Sequence, residues 1–235
     1  MCLIALAHRA SERFPFVLAA NRDEDHLRPT RAAHFWDDAP DVLGGRDVLA
    51  GGSWLAITRG GRFAAVTNLR GAVPGKRSRG ALVRAFATSA TPPEEFAAEI
   101  VRDAAEYSGF HLLVGEMGRS AHYCANIARA YEPGIYGLSN APDGEHWPKV
   151  EVATNELSRA LVDARDAEDL AARLLRFLGT PRHRGRVEEE VFIVGERYGT
   201  RSSTVVIATM DEILFIEQSY LPSGVAESPM NRFVL

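Results

Sequence analysis

Apolar and polar positions alternate in blocks that set out the elements in order. Residues 2–7 form a short apolar run that reads as a buried strand, Arg9 to Arg13 form a polar turn, and Phe14 to Ala20 form a second run. Two such runs joined by a short polar link predict a hairpin, with Pro15 at the start of its second arm. Gly44-Gly45 and Gly51-Gly52 bracket a stretch that reads as turn-rich. Trp54 to Thr58 and Phe63 to Asn68, separated by Gly60-Gly61, predict another hairpin.

Helical spacing follows over Arg79 to Thr88. Pro92-Pro93-Glu94-Glu95 then opens a second helix running to about Tyr107, with proline and acids in its first turn. Phe110 to Glu116 and Ala121 to Ala125 predict a strand pair. Beyond the Pro133-Gly134 turn, Trp147 to Val162 and Ala167 to Leu178 carry helical periodicity. Residues 180–190 read as a charged, exposed loop. Ser203 to Thr209 and Ile213 to Gln218 predict two last strands around a Met210-Asp211-Glu212 turn. The order of strands, helices, strands, helices, strands predicts antiparallel sheets with helices packed outside, an α+β fold in one domain over residues 1–235.

Composition narrows the function classes. With 46% hydrophobic and 25% charged residues the chain has ordinary globular make-up. A net charge of -4 argues against a general nucleic-acid binder. Lys76 and Lys149 are the only lysines among many arginines, which with the many alanines reads as a GC-rich, bacterial coding bias. Two cysteines make no disulfide framework, and no CxxC or HExxH spacing suggests a metal, so neither metal nor cofactor is expected. The apolar N-terminus stops at His8-Arg9, too short for a signal-peptide core. No run approaches a membrane span, and a cytosolic protein is expected.

The sharpest chemical feature is Cys2. Removal of Met1 would leave one residue holding both a thiol and an α-amine, whose reference pKa of about 7.7–8.0 suits a base near neutrality. Position alone also fits a plain apolar cysteine at a strand start. Asn21-Arg22-Asp23-Glu24 ends the strand expected to pair with the Cys2 strand, which would bring Asp23 to the amine and Arg22 to the thiolate. Asn68, Asn140 and Arg201 lie at further strand or loop ends. An asparagine amide can donate to an oxyanion, and Arg201 could anchor Asp23 or a substrate carboxylate. Cys124, in an apolar strand, reads as core. Arg77, Arg79, Arg182 and Arg184 fit an anionic ligand or plain solvent.

Taken together, Met1-Cys2-Leu3-Ile4, Asn21-Arg22-Asp23-Glu24, Gly51-Gly52-Ser53-Trp54-Leu55, Val66-Thr67-Asn68, Ser78-Arg79-Gly80, Tyr136-Gly137-Leu138-Ser139-Asn140 and Tyr198-Gly199-Thr200-Arg201 resemble the NRDE family, the transport and Golgi organisation proteins. That family is similar to the N-terminal-nucleophile hydrolases, nearest to choloylglycine hydrolase and the penicillin-type acyltransferases. The resemblance implies a four-layer αββα sandwich. It implies Cys2 as nucleophile, Asp23 beside its amine, Asn68 and Asn140 as oxyanion and amine contacts, and Arg201 as a late arginine. Asn21 and Trp54, within the same motifs, are the substrate-binding candidates. Choloylglycine hydrolases separate the early Arg and Asp by two residues, whereas Arg22 and Asp23 are adjacent. Neighbours in a strand point to opposite faces, so both serve Cys2 only if the strand ends or bulges there. The implied activity is hydrolysis or transfer of an amide- or thioester-linked small acyl group. The alternative is a carrier of haem or an acyl lipid on the same fold.

Overall fold

A computed structural model describes residues 2–125, 127–142, 144–145, 147–181 and 186–235. Met1, Arg182, Arg184 and the side chain of Cys124 lie outside the described residues, and with them the readings that rest on those groups.

In chain order the strands are β1 (Cys2–His8), β2 (Phe16–Asp25), β3 (Thr30–Trp36), β4 (Ala39–Asp47), β5 (Leu55–Thr58) and β6 (Arg62–Asn68). Helices α1 (Gly80–Ala87) and α2 (Pro93–Asp103) follow, with a 3-10 turn at Ala104–Glu106. Next come β7 (Phe110–Glu116), β8 (Ser120–Cys124), β9 (Ala128–Ala130) and β10 (Gly134–Leu138). Helices α3 (Pro148–Asp163) and α4 (Ala167–Leu178) precede β11 (Tyr198–Ala208), β12 (Ile213–Ser219) and β13 (Asn231–Val234). The fold is mixed α+β, with two antiparallel sheets and four helices.

The chain divides into two compact units. One runs from the N-terminus through Arg28 and resumes with Pro133–Leu235; the other is Pro29–Glu132. In the first, six strands lie in the order β10-β1-β2-β11-β12-β13. Alternate residues of its strands, among them Leu3, Ala5, Ala7, Val17, Ala19, Val205 and Ile207, share a core with Ala153, Leu157 and Ala160 of α3 and Leu170, Leu174 and Phe177 of α4. The period of two in the strands meets the helical period, which is why both helices lie on one face. In the second unit, seven strands run β3-β4-β5-β6-β7-β8-β9. There Leu82, Val83 and Phe86 of α1 and Phe96 and Ala97 of α2 pack on Val42, Ala64, Val66, Leu112 and Val114.

The expected hairpin of residues 2–20 forms, and β2 runs further than its apolar stretch, carrying Asn21-Arg22-Asp23-Glu24 inside a paired strand. The turn expected between Gly44-Gly45 and Gly51-Gly52 falls at residues 48–50, and Gly44 and Gly45 themselves lie within β4. A Cβ at Gly44 would come 2.5 Å from the Leu55 carbonyl oxygen, and one at Gly45 2.1 Å from the Trp54 indole. The glycines make room for neighbours rather than for a bend. Strands β3, β9, β10 and β13 carry too few buried apolar positions to have been seen in the pattern.

Candidate active site

Register assembles the site. In the β1–β2 ladder Cys2 lies directly opposite Arg22, and β11 continues the row by placing Ser202 opposite Arg22. On the other flank Ile4 pairs with Leu138, so the chain leaving β10 brings Asn140 level with Cys2. Asn140, 1% exposed, accepts a hydrogen bond from the Cys2 backbone nitrogen through its Oδ1. Cross-strand partners share a face, so Arg22 stands beside the thiol without any bulge in β2.

Asp23 has the parity of Val17, Ala19 and Asn21, the face that carries α3 and α4. It still serves Cys2 because β1 begins there: the backbone N–H of Asp23 donates to the Cys2 sulfur. The Asp23 carboxylate, 4% exposed, accepts a 2.6 Å hydrogen bond from the Thr200 hydroxyl, whose oxygen also accepts from the Ile193 N–H at 2.9 Å. A β-bulge between Thr200 and Ser202 makes Arg201 the extra residue, and this lets Thr200 face Asp23 while Ser202 faces Arg22.

Burial pushes the Cys2 thiol up from its ordinary value, and the Asp23 charge adds to that. The Asp23 N–H and Arg22 draw it back. The Asp23 carboxyl is likewise raised by burial and brought down by Lys149, Thr200 and Arg22. Arg22 also reaches Glu24 at 3.8 Å. The arrangement is a thiol, an amine position, a carboxyl and two cations kept largely out of water. Such a group can trade protons within itself.

Other contacts hold the remaining candidates. Arg201 Nη1 donates to the backbone carbonyls of Asp25, His26 and Arg28 at 3.0, 3.2 and 3.2 Å, bracing the turn after β2. Asn21 donates to the Leu178 and Val191 carbonyls at 2.9 and 2.8 Å and accepts from Ser203 at 2.6 Å, a strut between β2 and the end of α4. Asn68 and Trp54 belong to the other unit. Asn68 closes β6 opposite Phe110, and Trp54 precedes β5 with its indole over Gly45. Among the described residues, no group of three His, Cys, Asp or Glu side chains is gathered as a metal would require. No described helix is long and apolar enough to cross a membrane.

Sequence reasoning missed Thr200, Ser202 and Lys149. Thr200 stood one place from the chosen Arg201, and only the bulge separates their roles. Lys149 is buried among these groups, and its scarcity among arginines was its one signal.

Comparison with known proteins bears on the fold and the family. The solved structure of penicillin V acylase from Agrobacterium tumefaciens matches with a TM-score of 0.59 at 12% identity, covering 100% of this chain and 86% of that one. A point variant of conjugated bile acid hydrolase from Clostridium perfringens matches at 0.59 and 9% identity, covering 99% and 92%. The fold is therefore that of the N-terminal-nucleophile hydrolases. A Transport and Golgi organization protein 2 homolog from Bos taurus is 32% identical, covering 89% of this chain and 88% of its own. The family pattern described as Transport and Golgi organisation 2 spans residues 1–222, and the chain belongs to that family.

Proposed function

We propose that the chain is an N-terminal-cysteine hydrolase or acyltransferase acting on an amide or thioester of a small acyl compound. The observation that carries this reading is the hydrogen bond from the Cys2 nitrogen to Asn140. It fixes the atom that becomes a free α-amine once Met1 is removed, one residue's length from the thiol. The fold adds support, because its solved neighbours are by name an acylase and a hydrolase.

The cycle follows from proton affinities. Burial keeps the thiol protonated near neutrality. The amine, with a reference pKa of about 7.7–8.0, takes the thiol proton as sulfur bonds to the acyl carbon and the carbonyl electron pair moves to oxygen. When that pair returns, the bond to the leaving amine or thiol breaks, and the leaving atom takes the proton from the ammonium. A thioester on Cys2 remains. Water, or another acceptor, then gives its proton to the same amine, attacks the thioester and frees the thiolate, which recovers the proton. Arg22 supports the sulfur while it is charged, and Asn140 aims the amine.

Intact-mass measurement of the full chain tests this, alone and after brief exposure to acyl thioesters and N-acyl amides, with Cys2→Ala alongside. The expected result is a mass lacking Met1 and an acyl-sized adduct that the variant does not form. Retention of Met1, or no Cys2-dependent adduct with no compound consumed, would sink the proposal. Either result would move the reading to a carrier of haem or an acyl lipid, which a haem titration would then address.

A further inference from the structure

The cycle above leaves one buried charge without a task. The chain has two lysines. Lys76 is a surface residue with 85% of its side chain exposed, whereas Lys149 is 0% exposed. Lys149 is the second residue of α3, and its backbone N–H donates to the Glu188 carbonyl at 3.1 Å. Its Nζ stands 5.3 Å from the centre of the Trp147 ring and has no hydrogen-bond partner among the described residues.

Burial and helix position both disfavour a cation here, against the modest attraction of the Trp147 ring. Withdrawing an ammonium from water is costly even after relaxation. The start of a helix is its positive end, where a cation is unfavourable. Negative charge nearby has to offset this. The groups facing Lys149 are Asp23 on β2, Cys2 on β1, and Glu188 and Glu190 in the segment before β11. Asp23 raises its proton affinity most, and Lys149 in turn favours the Asp23 carboxylate alongside Thr200 and Arg22. Glu188 and Glu190 are partly exposed, so water screens them more than it screens Asp23.

We infer that Lys149 is a positioning residue for the Cys2 centre, the buried counter-charge that keeps Asp23 a carboxylate beside Cys2. In its functional part this rests on the reading of Cys2 as the nucleophile. A lysine serves where the other cations of this chain would not. Its ammonium is a compact charge on a flexible stem that can lie along the α3 core, whereas a guanidinium is a broad plane with five donors to satisfy.

The presence of two lysines makes the test direct. Full-length chain carrying 13C at the lysine Cε gives two signals, and Lys76 should titrate near the ordinary value of about 10.4. Lys149 should titrate below Lys76. In Asp23→Asn its midpoint should fall by about a further pH unit, about tenfold in proton affinity, while Lys76 stays in place. An unmoved Lys149 signal would overturn the inference. If Asp23→Asn does not fold, Lys149→Met labelled at the aspartate carboxyls reads the same coupling from the other side. There the Asp23 midpoint should rise by about a unit, and no rise would overturn the inference equally. In the native reaction Lys149→Met should slow acylation of Cys2 by about tenfold with secondary structure unchanged. The titrations do not need Cys2 to react. A native chain that forms no acyl adduct would sink the proposed function, while an uncoupled Lys149 would sink only this inference.

Discussion

At the scale of single residues, the Asp23 carboxyl is the group on which the site turns. It is buried, and the Thr200 hydroxyl at 2.6 Å is a neutral group holding its charged form. Thr200→Val keeps nearly the same shape while removing that donor and the acceptor of the Ile193 N–H. Loss of one such buried bond costs about 1–3 kcal/mol, so the urea midpoint should fall with its slope unchanged. Asp23 should also become harder to ionise, and Cys2 acylation slower. A variant with an unchanged midpoint would show that Thr200 does not hold Asp23. Residues fixed by the first hairpin were readable from sequence, because pairing residues 2–7 with 14–20 carries Arg22 to Cys2 once the register is continued. Thr200 was not readable, because a bulge inverts side-chain parity without altering composition. Lys149 was not readable either. Lysine in a first helical turn ordinarily faces water, and only tertiary packing makes it the exception.

At the scale of elements, the site depends on how closely α3 lies on the sheet. Gly137 of β10 pairs with Ala5 of β1 and stands beneath the first turns of α3. A Cβ there would come 2.5 Å from Val150 Cγ1 and 2.9 Å from Thr154 Cγ2. Gly137→Ala should therefore push α3 outward, with an overpacking cost of about 1–3 kcal/mol in denaturant unfolding. The same shift would move Lys149, one residue before Val150, and Asn140, just beyond β10. Acylation should then drop more than global stability alone explains. Wild-type stability in this variant would mean that α3 yields at no cost, against the packing drawn here. The contrast with Gly44 and Gly45 shows why glycine misleads in one dimension. All three glycines lie in strands and give space to a neighbour, a role that neither spacing nor propensity encodes. Helix α4 was legible to the residue, because its five buried apolar positions recur at helical spacing and Asp166 caps it through the Asp169 N–H. Strand β10 was not, since its five residues are all only partly buried and two are glycine.

At the scale of the whole molecule, the unit that carries Cys2 is built from both ends of the chain, which departs after Arg28 and returns at Pro133. Its buried ionisable groups therefore report on folding of that entire unit. Burial lowers the Lys149 proton affinity in the folded state. Between its folded-state pKa and the ordinary lysine value of about 10.4, the unfolded chain binds more protons, so stability rises with pH through that window and is lost as pH falls. Asp23 is shifted upward, so above the ordinary carboxyl value of about 3.9 the folded chain binds more protons. Its contribution is fully present below that value and is lost as pH rises through its folded-state pKa. Lys149→Met deletes the first term and, by removing the counter-charge, lifts the folded-state pKa of Asp23 further. Both changes act in one direction. The upward shift of Cys2 opposes them above about pH 8.5, but it is present in both chains and largely cancels in the comparison. Thermal unfolding of the native chain and Lys149→Met, followed from about pH 7 to about pH 10, should show a gap in Tm that widens in favour of the native chain as pH rises. Parallel curves would mean that Lys149 binds the same number of protons folded and unfolded. The cost of burial would then be offset in full, against the lowered proton affinity described here.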